Sequence, residues 1–228
     1  MIAQTLGVSS AAKRSHQQMV TTHRTRLLYP GKTATLRGVY MACAPVTPCN
    51  GQRHAKGNTM TKPIPGTAVA QMTLPTVDGG TITLGQPKER WSMLFIYRGR
   101  HCPRCKRFLN KLNAVLPAWT DRMDVAVVSA DTRQKALEDQ KEFGWNFELG
   151  FDLSEDQMRA LGLYVSEPLS GTETDRVFAE PGAFAIRPDG TLMLVEISNG
   201  PAARPDLEEL LDGMIFNIEN DRPVRGTA

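Results

Sequence analysis

No apolar run in the 228 residues approaches the ~18–20 that a transmembrane helix needs, which argues for a soluble chain without a membrane partner. The amino terminus also lacks the continuous apolar core of ~7–15 residues that marks a secretory signal, so secretion is disfavoured. Acid is missing too: residues 1–59 hold eight Lys/Arg (Lys13, Arg14, Arg24, Arg26, Lys32, Arg37, Arg53, Lys56) and no Asp or Glu. From Met60 onward 19 basic residues face 24 acidic ones, so the charge reverses from +8 to −5. The sequence pI near 8.7 therefore reflects the leader, and no nucleic-acid partner follows from it.

Sustained 3.6 or 2.0 periodicity is likewise absent from residues 1–59, which read as a basic leader outside the fold. Three origins stay open for it: a dispensable leader or misplaced start with translation from Met60, an organelle transit peptide, or a functional tail. Residues 60–219 are expected to form the domain and 220–228 a flexible tail. A cytoplasmic location is expected, with organelle targeting by the leader left open.

What is present begins with Pro65-Gly66 and an alternating segment over 69–74, followed by Val77-Asp78-Gly79-Gly80-Thr81, whose Asp-Gly signals a hairpin. The near-continuous apolar run 91–97 suits a strand buried on both faces. The stretch 106–119 carries Phe108, Leu109, Leu112, Val115 and Leu116 on one stripe, as an amphipathic helix does. A strand over 123–129 and a helix from Asp131 or Thr132 to Phe143, stopped by Gly144, make a second βα unit. A short strand over 147–151 and a Ser154-to-Gln157 cap-and-acid start for a short helix follow. Residues 164–180 have no period and read as loop. Strands over 181–186 and 191–197 flank the turn Pro188-Asp189-Gly190, and a helix over 206–218 closes the domain.

Between the strand ending at Tyr97 and the helix lies Cys102-Pro103-Arg104-Cys105, a dithiol at a helix N-terminus. The first N–H groups of a helix lack intrahelical acceptors and carry the positive end of its dipole, so a thiolate is favoured there. Arg98, Arg100, His101, Arg104, Lys106 and Arg107 surround the pair, with no acidic residue between Arg98 and Trp119, a setting that lowers a cysteine pKa further. Such a pair suits thiol–disulfide exchange: one thiolate attacks and its neighbour displaces the mixed disulfide. With a peroxide, the thiolate attacks oxygen and the resulting sulfenic acid condenses with the second thiol.

Taken together, these elements and the Cys-x-x-Cys resemble the thioredoxin-like fold in its redoxin branch, the alkyl hydroperoxide reductase/thiol-specific antioxidant (AhpC/TSA) family. The likeness spans about residues 63–218, and the segment from Pro65 to Leu74 with Asp78-Gly79 is similar to that family's N-terminal extension, although Val69 stands where its members often carry proline. The resemblance implies an α/β, three-layer thioredoxin-like fold with a central mixed sheet and an N-terminal β-hairpin extension. It also implies an antioxidant thiol oxidoreductase without a cofactor, taking a disulfide or hydroperoxide substrate and an external thiol reductant of the thioredoxin or glutathione kind. A homodimer is implied by resemblance alone.

Two assignments of the site stay open. In the thioredoxin-type one Cys102 is the exposed, attacking thiol, Cys105 the buried, resolving one, and Pro181, with Gly182 after it, shapes a substrate groove in the place of a loop proline that is cis in the superfamily. In the peroxiredoxin-type one the family's Pro-x-x-x-Thr-x-x-Cys falls on Arg98, Cys102 and Cys105, so Cys105 attacks and Cys102 resolves. There the proline has become Arg98 and the threonine Cys102, and Pro181, three residues before Phe184, replaces the peroxide-polarising arginine. Ile96 replaces the buried aspartate of many thioredoxins, leaving His101 or Glu180 as proton shuttles. Arg98, Arg100, His101 and Arg104 are assigned to pKa tuning. A third class of reading is a redox-inactive or zinc-binding module, with Cys43 and Cys49 completing a metal site.

Overall fold

The computed structural model describes residues 62–228, so the basic leader with Cys43 and Cys49 lies outside the described residues. The centre is a five-stranded mixed sheet in the order β5-β4-β3-β8-β9. Strands β3 (Ser92–Ile96), β4 (Asp124–Val128) and β5 (Glu148–Gly150) run parallel, while β8 (Gly182–Ile186) pairs antiparallel with both β3 and β9 (Leu192–Ile197).

The apolar runs follow from burial on both faces, since alternate residues of a strand point to opposite sides. Met93, Phe95 and Tyr97 of β3 and its exit, with Val125 and Val127 of β4 and Ala183 and Ala185 of β8, face one core. Leu94, Ile96, Ala126, Val128, Phe184 and Ile186 face the other. On the first face lie helices α1 (Pro103–Thr120) and α4 (Leu207–Glu219), together with Ala136 of α2 (Arg133–Phe143). On the second lie the hairpin β1 (Met72–Pro75) and β2 (Thr81–Leu84) and helix α3 (Glu155–Ala160). Three layers and an N-terminal hairpin result, as expected.

Local signals explain the boundaries. Thr132 accepts the Lys135 N–H to start α2, and Gly144, at φ 63°, ends it in the left-handed conformation. Ser154 and Gln157 close a reciprocal capping box on α3, and Asp206 caps α4 through the N–H groups of Glu208 and Glu209. One expectation is corrected: within 164–180, read as loop, β6 (Val165–Ser166) pairs antiparallel with β7 (Phe178–Ala179). Strands of two residues are too short to show a period, and only their partners create them. Residues 221–228 contain neither helix nor strand, yet Val224 packs against the first core.

Helix α1 sets the position of the dithiol, and it is held by Leu109, Leu112 and Trp119, all fully buried. Leu109→Ala is expected to destabilise the fold by about 2–5 kcal/mol, through lost burial and the cavity left behind. A urea midpoint shifted to lower concentration at unchanged slope measures it.

Candidate active site

The segment after β3 cannot continue as strand. Gly99 takes φ +119°, and a Cβ there would lie 2.7 Å from a carboxylate oxygen of Asp131, so only glycine permits the turn. The turn is tied on one side by the Arg100 N–H, which donates to Asp131 at 2.6 Å, and on the other by the Cys102 N–H, which donates to the Gly99 carbonyl at 3.1 Å. The chain then enters α1 with Pro103 in the first turn, where a missing N–H removes no helix bond.

Cys102 is the N-cap of α1, and its Sγ accepts the Cys105 N–H at 3.3 Å. A sulfur thus fills the role usually taken by a serine or aspartate oxygen. The Cys105 thiol donates to the same sulfur at 2.6 Å, and both cysteines are free and buried, which corrects the expectation of an exposed Cys102: as the N-cap its sulfur turns in toward the first turn of α1. The consequence for charge is one-sided. The hydrogen bond from the Cys105 thiol, then the Cys105 N–H and the cations of Arg98 and Arg204, pull the Cys102 pKa down from 9.0 to about 6 against the opposing effect of burial. Donating that proton, together with burial, pushes the Cys105 thiol up. The pair shares one proton, and the negative charge rests on Cys102.

Sequence gave no notice of Arg204. This residue lies in the loop between β9 and α4, ninety-nine positions from Cys105, and its Nη2 donates to Cys105 Sγ at 3.1 Å. Its guanidinium also stacks over the Phe108 ring at 4.6 Å. The only hint is its place between Pro201 and Pro205, a stiff approach to the Asp206 cap. Glu196 is close enough for Arg204 to stabilise its carboxylate, although burial dominates and raises the Glu196 pKa.

The cationic cluster divides. Arg100 pairs with Glu138 at 3.4 Å, with Glu142 at 3.0 Å and with the fully buried Asp139, which Lys106 also meets at 3.5 Å. These carboxylates belong to α2, so the acid-free stretch around the motif is neutralised from elsewhere. Arg98 bonds Glu173 at 3.1 Å, lies 3.4 Å from Glu180, and stacks over Phe178. Arg98 still acts on the Cys102 thiolate. Arg104 is exposed on α1.

The two expected proton shuttles sit in different surroundings. Ser166 donates to Glu180 Oε1 at 2.7 Å, beside the Arg98 contact, while Glu180 Oε2 is buried without a hydrogen-bond partner. His101 packs on Phe178, both ring nitrogens lack partners, and burial together with the Arg98 charge lowers its pKa, keeping the ring neutral.

Pro181 and Gly182 stand where β8 begins, with Gly182 opposite Ile96, so the pair flanks the exit from β3 that leads to the dithiol. Two expectations change. No peptide bond among the described residues is cis, so Pro181 is trans, in a segment held extended by the Glu180 N–H to Tyr164 and by the Ser198 N–H to the Pro181 carbonyl. Gly182 is buried rather than open to a groove, and a Cβ there would lie 2.6 Å from Leu163 and 2.9 Å from Phe184. Its smallness serves packing.

A model of the AhpC/TSA family matches residues 65–195, more than half of the chain. The chain belongs to the AhpC/TSA family. Among curated proteins no sequence matches it. Solved structures with the same fold include a peroxiredoxin-like protein from Aquifex aeolicus, at 17% identity and TM-score 0.59 over 68% of this chain and 88% of that one. Peroxidoxin BcpB from Mycobacterium tuberculosis is similar at 16% identity and TM-score 0.54, over 71% and 99%. AhpC from Enterococcus faecalis is similar at 17% and 0.55, over 72% and 99%. The AhpC/TSA protein described here is a thiol-based, peroxiredoxin-like oxidoreductase of thioredoxin-like fold. No helix among its described residues is long and apolar enough to cross a membrane.

The thiolate assignment has a direct test. Alkylation of Cys102 by iodoacetamide is expected to titrate with a midpoint near pH 6, reactive above and silent below. Cys105→Ala removes the S–H donor and shifts that midpoint to higher pH, as does Arg204→Met to a smaller extent. A midpoint unmoved by Cys105→Ala would contradict the shared-proton geometry.

Proposed function

We propose that this protein reduces disulfides by thiol–disulfide exchange through the Cys102-Cys105 pair, Cys102 attacking and Cys105 resolving. The observation that carries this reading is the cap: Cys102 Sγ receives both the N–H and the S–H of Cys105 and holds the thiolate. The Cys102 thiolate attacks a substrate sulfur and the substrate's other sulfur leaves as a thiolate. Cys105 then loses its proton, with Arg204 at 3.1 Å to stabilise the charge, and attacks Cys102 Sγ. The second substrate thiol leaves and a Cys102–Cys105 disulfide remains, to be reduced by an external thiol system. A pair that must be re-reduced each turn fits a reducing compartment such as the cytoplasm.

A second reading is favoured by Arg204. Its contact with Cys105 Sγ supplies an arginine beside the cysteine that the peroxiredoxin-type assignment makes attack, compensating for Pro181 at the family's arginine position. In that reading Cys105 attacks hydroperoxide oxygen, forms a sulfenic acid, and condenses with Cys102. The zinc alternative requires Cys43 and Cys49, outside the described residues, and no cluster of three or more His, Cys, Asp or Glu suited to a metal occurs among those described.

The two cysteine variants separate the readings. Cys105→Ser is expected to accumulate a mixed disulfide with substrate on Cys102, and Cys102→Ser to lose activity. Stopped-flow mixing of the reduced protein with hydrogen peroxide gives the opposing result: rapid loss of two thiols, retained as sulfenic acid formation in Cys102→Ser, would transfer the attacking role to Cys105.

A further inference from the structure

The cations near the dithiol that α2 leaves alone converge on one groove. Arg104, Arg107 and Lys111 recur at i, i+3 and i+7 on α1, one face of a helix, with Phe108 between them. Together with Arg204 and Pro205 they line a groove of about 370 Å³, within the size range of small-molecule sites. Arg98, Arg100 and Lys106 are all engaged by carboxylates. Arg104, Arg107, Lys111 and Arg204, by contrast, form no ion pair among the described residues. Residues 1–59 contain no Asp or Glu to pair with them. The groove's single carboxylate, Asp206, is already used in capping α4. Arg204 connects the groove to the dithiol, lining the one while touching Cys105 Sγ of the other.

We infer that this groove binds an anionic low-molecular-weight thiol, one carrying free carboxylates within a few bonds of its sulfur, and that this thiol is the electron donor for the oxidised pair. The inference rests on the dithiol cycle proposed above. Carboxylates on Arg104, Arg107 and Lys111 hold the donor along α1 while its sulfur faces the helix N-terminus. The donor thiolate attacks Cys102 Sγ, the Cys102–Cys105 bond breaks, and the electron pair leaves on Cys105 Sγ as a thiolate, which the Arg204 guanidinium stabilises until it takes a proton from water. A second donor thiolate attacks the donor sulfur of the mixed disulfide, and Cys102 leaves as the thiolate its cap favours. Two thiols become one disulfide, and the protein regains its dithiol.

The test uses the full chain, oxidised to the Cys102–Cys105 disulfide, with thiol recovery followed against glutathione as the anionic probe and 2-mercaptoethanol as the neutral one. Per thiolate, glutathione is expected to react about tenfold faster or more, and to lose most of that advantage between about 20 and about 500 mM KCl. Arg107→Glu/Lys111→Glu is expected to abolish the advantage while leaving the 2-mercaptoethanol rate within about twofold, and the milder Arg107→Gln/Lys111→Gln to reduce it in part. Equal per-thiolate rates, a salt-independent ratio, or a parallel fall with both probes would overturn the inference. So would a reversal variant that loses reduction by thioredoxin but not by glutathione, which would assign the groove to a protein partner. If 2-mercaptoethanol reduces the disulfide and glutathione has no advantage, the donor assignment fails and the dithiol cycle stands. If no Cys102–Cys105 disulfide forms under any oxidant, both fail.

Discussion

The hydrogen bond from the Cys105 N–H to Cys102 Sγ is the contact on which the chemistry depends, because it makes one sulfur both a structural cap and a reactive group. A helix start leaves N–H donors unsatisfied, and buried donors without partners are costly. Using a thiolate to satisfy them links the stability of α1 to the ionisation of Cys102. The Cys105 thiol adds a second donor to the same sulfur, which concentrates charge on Cys102 and keeps the proton on Cys105. The pair is thereby differentiated although both residues are buried within one helical turn.

Around that contact the fold supplies constraints from four directions. Strand β3 delivers the chain to the turn at Gly99, and Asp131 after β4 fixes it through the Arg100 N–H. Helix α2 presents Asp139 and Glu142 to Arg100, removing one positive charge from the approach to the sulfurs. The loop before α4 brings Arg204 to Cys105, restoring a positive charge where it touches sulfur. Cationic character at this site is therefore selected rather than uniform: some cations are spent on carboxylates, and others face the groove or the thiols.

The architecture was legible in the chain because its signals are local. Double-faced burial of β3 and β4 shows as unbroken apolar runs, and the helices of the core show as caps and stripes: Thr132 with Gly144, Ser154 with Gln157, Asp206 before α4. The β6-β7 pair was not legible, since two-residue strands exist only through each other. Gly182 was misread for a related reason: what its missing side chain makes room for, Leu163 and Phe184, comes from a neighbouring segment as well as its own strand.

At the site the division is sharper. The sequence by itself determined the dithiol, its spacing of one helical turn, and its position at a strand-to-helix junction, because helix geometry turns a four-residue motif into two neighbouring sulfurs with free N–H groups beside them. It also determined a cationic flank. Only the tertiary structure decided which of those cations keep their charge for the sulfurs, since the acids that neutralise Arg100 lie about forty positions away on α2 and the arginine that reaches Cys105 lies ninety-nine positions away. Coulombic and hydrogen-bonding contacts act through space over a few ångströms, and separation along the chain says nothing about that distance until the sheet has brought α1, α2 and the α4 loop together.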